Sequence, residues 1–174
     1  EMTTKAIAML SKNQKGYVLM VEAGRIDHAH HGGNARRALQ DTVALNAALK
    51  AAMESVDLRE TLIVVTSDHS HVFTMAGYPE RGNPILGVVS APIGTPTLAM
   101  DGKGYTTLGY ANGPGAVNAA ERPDPANSDT GALNYRQQSL IPLMSETHGG
   151  DDVVARAAGP KAHLFKGTIE QNTI

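Results

Sequence analysis

The apolar positions between residues 17 and 66 form three successive patterns. Residues 17–21 are a short, nearly continuous apolar run, which is typical of a strand covered on both faces. From about residue 29 to residue 56 the apolar side chains recur at three- and four-residue intervals, which predicts one long amphipathic helix. Residues 62–66 are a second strand-length run rich in β-branched side chains. Together they predict a strand, helix, strand unit whose parallel strands end at one edge of a sheet.

The rest of the chain has weaker patterns. Residues 78–138 are rich in Gly, Pro, Asn and Ser, and we expect them to form a long, loop-rich insertion. Residues 151–160 end in Gly159-Pro160 and predict a short helix, followed by a possible strand at residues 162–165.

Composition restricts the possible functions and binding sites of the chain more than it restricts the fold. A chain of 174 residues can bury one substantial core, so we expect it to be part of a single domain. The net charge is −2 and the basic residues are scattered, which argues against nucleic acid as a partner. No apolar run approaches the roughly 20 residues of a transmembrane segment. Because there is no cysteine, any metal site must use oxygen and nitrogen ligands.

Candidate metal ligands follow the first predicted strand. Glu22, Asp27, His28 and His31 lie within ten positions of one another. If the helix has begun by Asp27, then Asp27 and His31 share one helix face and can bind a single ion. A carboxylate and an imidazole are ordinary zinc ligands. The alternative is a solvated helix start, with the aspartate near the positive end of the helix dipole.

A second group, Asp68 and His69, follows the second predicted strand. Two strand ends that bring carboxylate and imidazole groups to one sheet edge predict a joint metal site, with zinc at the histidines and magnesium where only oxygens meet. A third segment, Glu146-Thr147-His148-Gly149-Gly150, offers another histidine, either as a ligand or in a helix-capping turn.

In order and spacing, residues 21–31, 65–73 and 146–153 closely resemble alkaline phosphatases, and residues 77–83, 112–115 and 159–164 extend the similarity. The resemblance implies an α/β fold, a three-layer sandwich with a mostly parallel central sheet. Residues 1–174 would be the C-terminal part of one catalytic domain, with the insertion at about residues 78–138.

The resemblance also implies a ligand set. Asp27, His31 and His148 would bind one zinc ion, Asp68 and His69 a second zinc ion, and Glu22 a magnesium ion. His28 would lie near the phosphate. Four further side chains are assigned to structure or surface: Arg25, His30, His71 and His163.

The implied activity is hydrolysis of phosphate monoesters at alkaline pH through a phosphoserine intermediate. Two metal ions can clamp the attacking and leaving oxygens of such a transfer. The family's serine nucleophile lies in an Asp-Ser-Ala sequence that this chain lacks, so we expect it upstream, in a missing N-terminal part of the protein, and we expect the chain alone to be inactive.

Two alternatives remain open: a phosphodiesterase or sulfatase of the same superfamily, and a non-catalytic zinc-binding fragment. The resemblance further implies a homodimer and a periplasmic, extracellular or surface-anchored location.

Overall fold

The computed structural model describes residues 1–117 and 122–174, so residues 118–121 of the expected insertion lie outside the described residues. The chain divides into two compact units. The first unit comprises residues 1–23, 42–70 and 151–174, and the second comprises residues 24–41 and 71–150.

The described residues form α-helices, strands and short 3-10 helices. The α-helices are α1 (Met2–Leu10), α2 (Arg25–His31) and α3 (Ala35–Ser55). The strands are β1 (Ile63–Val65), β2 (Ser70–His71), β3 (Phe73–Met75), β4 (Leu108–Gly113), β5 (Ser139–Pro142), β6 (His148–Gly149) and β7 (Arg156–Ala158). The 3-10 helices are Pro125–Asn127, Ala162–Leu164 and Gln171–Thr173. Within the described residues, no helix combines the length and the apolar character that a bilayer crossing requires.

The first unit contains β1 as predicted, but its partner strand differs from the prediction. β1 pairs antiparallel with β7, so that Ile63 lies opposite Ala158 and Val65 opposite Arg156. Residues 17–21 form no strand, and Val18 and Met20 are 96% and 90% exposed. An extended segment becomes a strand only where a neighbour pairs with its backbone, and the described residues provide none for this run. The predicted parallel pair is therefore wrong.

The carboxyl-terminal part of the first unit also differs from the prediction. The expected helix at residues 151–160 is replaced by β7, and the expected strand at residues 162–165 by the 3-10 helix Ala162–Leu164. Backbone pairing with β1 overrides the local helical pattern here.

The predicted long helix is divided into α2 and α3 at Gly32-Gly33-Asn34. Gly33 has a φ of +68°, in the left-handed region that glycine adopts without strain. The Asn34 side chain then caps α3, because its Oδ1 accepts a hydrogen bond of 2.9 Å from the backbone N–H of Arg37. A single helix through this stretch was therefore a wrong prediction.

The core of the second unit surrounds a three-stranded sheet in the order β3, β4, β5. β3 and β4 are antiparallel, with Phe73 opposite Tyr110, whereas β4 and β5 are parallel, with Tyr110 opposite Ser139. Leu108 and Tyr110 of β4 are buried together with Val89 from the glycine- and proline-rich region. The described pairings are thus mixed, and both the three-layer parallel sandwich and the insertion at residues 78–138 stay predictions.

Candidate metal centre

Helix α2 brings two of the expected ligands together in the second unit. Asp27 and His31 are one turn apart, and the Oδ1 of Asp27 lies 3.4 Å from the Nε2 of His31. The helix ends immediately after His31, at Gly32. Both side chains are partly exposed, so an ion could reach them from solvent.

Strand β6 contributes the third expected ligand, His148. Its Nε2 lies 3.4 Å from the Oδ1 of Asp27 and 3.2 Å from the Nε2 of His31. These residues are more than a hundred positions apart along the chain, and the fold of the second unit brings them together.

The spacing of the three ligand atoms matches what one zinc ion requires. Zinc binds imidazole nitrogen and carboxylate oxygen at about 2 Å in tetrahedral geometry, which places the ligand atoms about 3.3 Å from one another. The observed separations are 3.2 to 3.4 Å. Three protein ligands of these types also leave a fourth coordination position, as catalytic zinc sites do. The residues therefore fit a zinc ion.

His71 belongs to this cluster as well, although its motif position had suggested only a structural or surface role. Its Nε2 lies 3.2 Å from the Oδ1 of Asp27, and its side chain is 9% exposed. The one signal in the sequence was its position two residues after an expected ligand, His69.

Glu146 is the other residue that the sequence did not single out. Its Oε2 lies 2.7 Å from the Nδ1 of His71, and its backbone carbonyl lies 2.6 Å from the Nδ1 of His31. It lies two residues before an expected ligand, but nothing local to the sequence indicates that its carboxylate is buried.

His30 is a partly buried residue of α2 in the second unit. Its ring stacks on His71 at a centroid distance of 4.6 Å and contacts Phe73, and its Nδ1 lies 2.9 Å from the hydroxyl of Tyr110. Burial, followed by the charge of His71, lowers the pKa of His30 from 6.5 to about 4. Burial likewise raises the pKa of Tyr110. His30 is therefore neutral near pH 7.

The remaining expected site residues are Asp68, His69 and Glu22 of the first unit and His28 of the second. Asp68 and His69 are neighbours in the first unit, where the Nε2 of His69 is 3.3 Å from an exposed carboxylate oxygen of Asp68. Glu22 is exposed in the same unit. His28 is exposed in the second unit and lines a shallow groove with Arg37 and Arg136, which gives that groove a positive charge.

Comparison with known proteins identifies the family of this chain. The family model described as alkaline phosphatase matches residues 1–174. The tissue-nonspecific alkaline phosphatases of Gallus gallus and Felis catus are each 48% identical to it over 175 aligned positions, covering 100% of this chain and 33% and 32% of the relatives. The Homo sapiens isozyme is 47% identical, again over 100% of this chain and 32% of its own length. The chain thus spans about a third of the length of these curated relatives. It belongs to the alkaline phosphatase family, which implies that family's α/β fold.

Proposed function

We propose that the full-length protein is a phosphoric monoester hydrolase whose zinc site includes Asp27, His31 and His148. The observation that carries this proposal is the set of ligand-atom separations, 3.2 to 3.4 Å, which suit one tetrahedral ion. Family membership supports the reaction, because the relatives are named alkaline phosphatases.

The finer assignments follow the family motifs. Asp68 and His69 would hold a second zinc ion, and Glu22 a magnesium ion. Bound divalent ions at such a centre supply neutralisation of phosphoryl charge and activation of an oxygen nucleophile. Reaction through a phosphoserine would require a serine outside this chain, because residues 1–174 contain no Asp-Ser-Ala sequence.

Side chains of the second unit would also help to orient the substrate. The groove lined by His28, Arg37 and Arg136 presents positive or protonatable groups next to α2. Such groups attract an anionic ester and hold its charged oxygens. We further propose the three-layer sandwich, a homodimer and an exported location for the full-length protein, as its family resemblance implies.

The test uses the full-length protein and a matched pair of histidine variants. Wild type is expected to bind zinc tightly and to hydrolyse p-nitrophenyl phosphate faster than bis(p-nitrophenyl) phosphate or p-nitrophenyl sulfate. His148→Ala should lose one zinc equivalent by elemental analysis and lower kcat/KM by about 100-fold or more, because losing a ligand should cost at least as much as losing a partner of a ligand. His163→Ala, which removes an exposed histidine of the first unit, should change neither quantity.

Three results would count against the proposal. The proposed zinc site would be refuted if calorimetry detects no tight zinc binding in wild type. It would also be refuted if His148→Ala keeps full activity. A preference for the diester or the sulfate ester would favour the phosphodiesterase or sulfatase alternative. Zinc binding without any hydrolase activity in the full-length protein would favour a non-catalytic module.

A further inference from the structure

Glu146 is a fully buried carboxylate beside the candidate zinc site. Its side chain is 0% exposed. A buried carboxylate is unfavourable unless its oxygens are hydrogen-bonded, and here both oxygens have partners. Oε1 accepts from the backbone N–H of Val72 at 2.8 Å, and Oε2 lies 2.7 Å from the Nδ1 of His71.

The side chain of Glu146 reaches the candidate ligand Asp27 through His71, and its Oε2 also lies 3.7 Å from the Nδ1 of His31. The imidazole of His71 lies between two carboxylates, with Nδ1 toward Glu146 and Nε2 3.2 Å from the Oδ1 of Asp27. His71 is itself packed between its neighbours, because the ring of His30 stacks on it at 4.6 Å. The position of the Asp27 oxygen therefore depends on where Glu146 holds His71.

The backbone of Glu146 forms a second connection, to His31. The N–H of Glu146 donates to the carbonyl of His31 at 3.0 Å, and the carbonyl of Glu146 lies 2.6 Å from the Nδ1 of His31. A carbonyl can only accept, so the Nδ1 of His31 carries the proton. In the neutral ring, Nε2 then has its lone pair directed toward Asp27 and His148, as a metal ligand requires.

We infer that Glu146 is a positioning residue of the zinc site, which sets the location of Asp27 through His71 and the tautomer of His31 through its own backbone. This inference rests on the zinc site proposed above. Groups that orient metal ligands in this way affect metal affinity without touching the ion, and their loss typically weakens binding by about 10- to 100-fold.

Glu146→Gln separates this role from simple core packing. Glutamine has nearly the same shape, and its carbonyl oxygen can still accept from the N–H of Val72. Its amide N–H₂ then faces His71, so the side chain loses the acceptor that held Nδ1. The backbone connection to His31 is unchanged. The substitution therefore breaks the 2.7 Å contact with His71 and removes the carboxylate charge that lies 3.7 Å from the Nδ1 of His31.

The experiment measures the zinc dissociation constant of the full-length protein by competition with a chelator. We expect Glu146→Gln and His71→Ala each to weaken zinc binding by about 10- to 100-fold. In the Glu146→Gln, His71→Ala double variant the combined loss should be smaller than the product of the two single losses, because Glu146 acts mainly through His71, its closer partner at 2.7 Å. The melting temperature of metal-free Glu146→Gln should stay close to that of wild type.

Thr106→Val is the matched control. Thr106 is also buried in the second unit, and its hydroxyl donates a hydrogen bond of 2.7 Å to the carbonyl of Leu108, which is not a candidate ligand. Its removal should leave the zinc affinity unchanged.

The inference is overturned if Glu146→Gln binds zinc within about twofold of wild type, if the two losses multiply in the double variant, or if Thr106→Val weakens zinc binding as much. If Glu146→Gln does not fold, Glu146→Asp takes its place, since its shorter side chain withdraws the carboxylate from His71 and predicts the same weakening. If wild type binds zinc and hydrolyses monoesters, and these variants bind zinc as tightly as wild type, this inference is refuted and the proposed function is not. Wild type without tight zinc refutes it together with the proposed function.

Discussion

Acidification should destabilise the metal-free protein through one partly buried histidine, His30. Its pKa is lowered to about 4 from an ordinary 6.5, chiefly by partial burial within the second unit. A difference of this size corresponds to at most about 3 kcal/mol between the two protonation states. The ring is not completely buried, so solvent screening reduces the expected contribution to about 1–2 kcal/mol.

The sign follows from which state binds the proton. Above pH 6.5 the imidazole of His30 is neutral in both the folded and the unfolded chain, so it contributes no pH dependence. As the pH falls from 6.5 toward 4, the unfolded chain takes up a proton that the folded chain does not, and the free energy of unfolding decreases. Below about pH 4 both states are protonated and the loss is complete.

Urea unfolding in the presence of EDTA measures this effect without competition from bound metal. Wild type and His30→Gln are compared at pH 7.5 and pH 4.5. Wild type should lose about 1–2 kcal/mol more than His30→Gln between these pH values, since the other acid-sensitive groups are common to both proteins. The control His163→Gln removes an exposed histidine and should behave as wild type does. Equal pH dependence in wild type and His30→Gln would refute the assignment of the effect to this burial.

Three further predictions address the ions and the fold. Glu22→Gln should lower magnesium content and magnesium-stimulated activity of the full-length protein while zinc content stays unchanged, as elemental analysis would show. Gly159→Ala should destabilise the chain by about 2 kcal/mol or more in urea unfolding, because φ is +109° and the new Cβ would lie 2.1 Å from the carbonyl oxygen of Thr61. Its control, Gly150→Ala, meets nothing within 4 Å and should cost less than about 0.5 kcal/mol. Tyr110→Phe removes the hydroxyl that lies 2.9 Å from the Nδ1 of His30. In the same assay it should lower the free energy of unfolding by about 1 kcal/mol.

Local patterns were sufficient for part of the candidate site. The four-residue spacing of Asp27 and His31 places them on one face of a helix, and α2 has them 3.4 Å apart. The β-branched run before Asp68 is a strand, β1, as predicted. The motif resemblance identified the family, and the match over residues 1–174 confirms it.

Other features depended on contacts that local patterns do not encode. An apolar run predicted a strand at residues 17–21, but strand formation requires a partner backbone, and the described residues supply none. The break between α2 and α3 depends on the positive φ of Gly33 and on the Asn34 cap. The helical periodicity of apolar residues indicates neither the positive φ nor the cap.

What the sequence by itself determined was the family and the set of candidate ligands, because residue type and local spacing define both. What only the tertiary structure decided was the environment of those ligands. Glu146 and His71 are polar residues of types that are usually exposed. Yet Glu146, which precedes β6, is buried, and His71, the last residue of β2, is nearly buried, where both contact side chains of α2. Burial and orientation are properties of segments distant in the chain, so they emerge only once those segments are packed together.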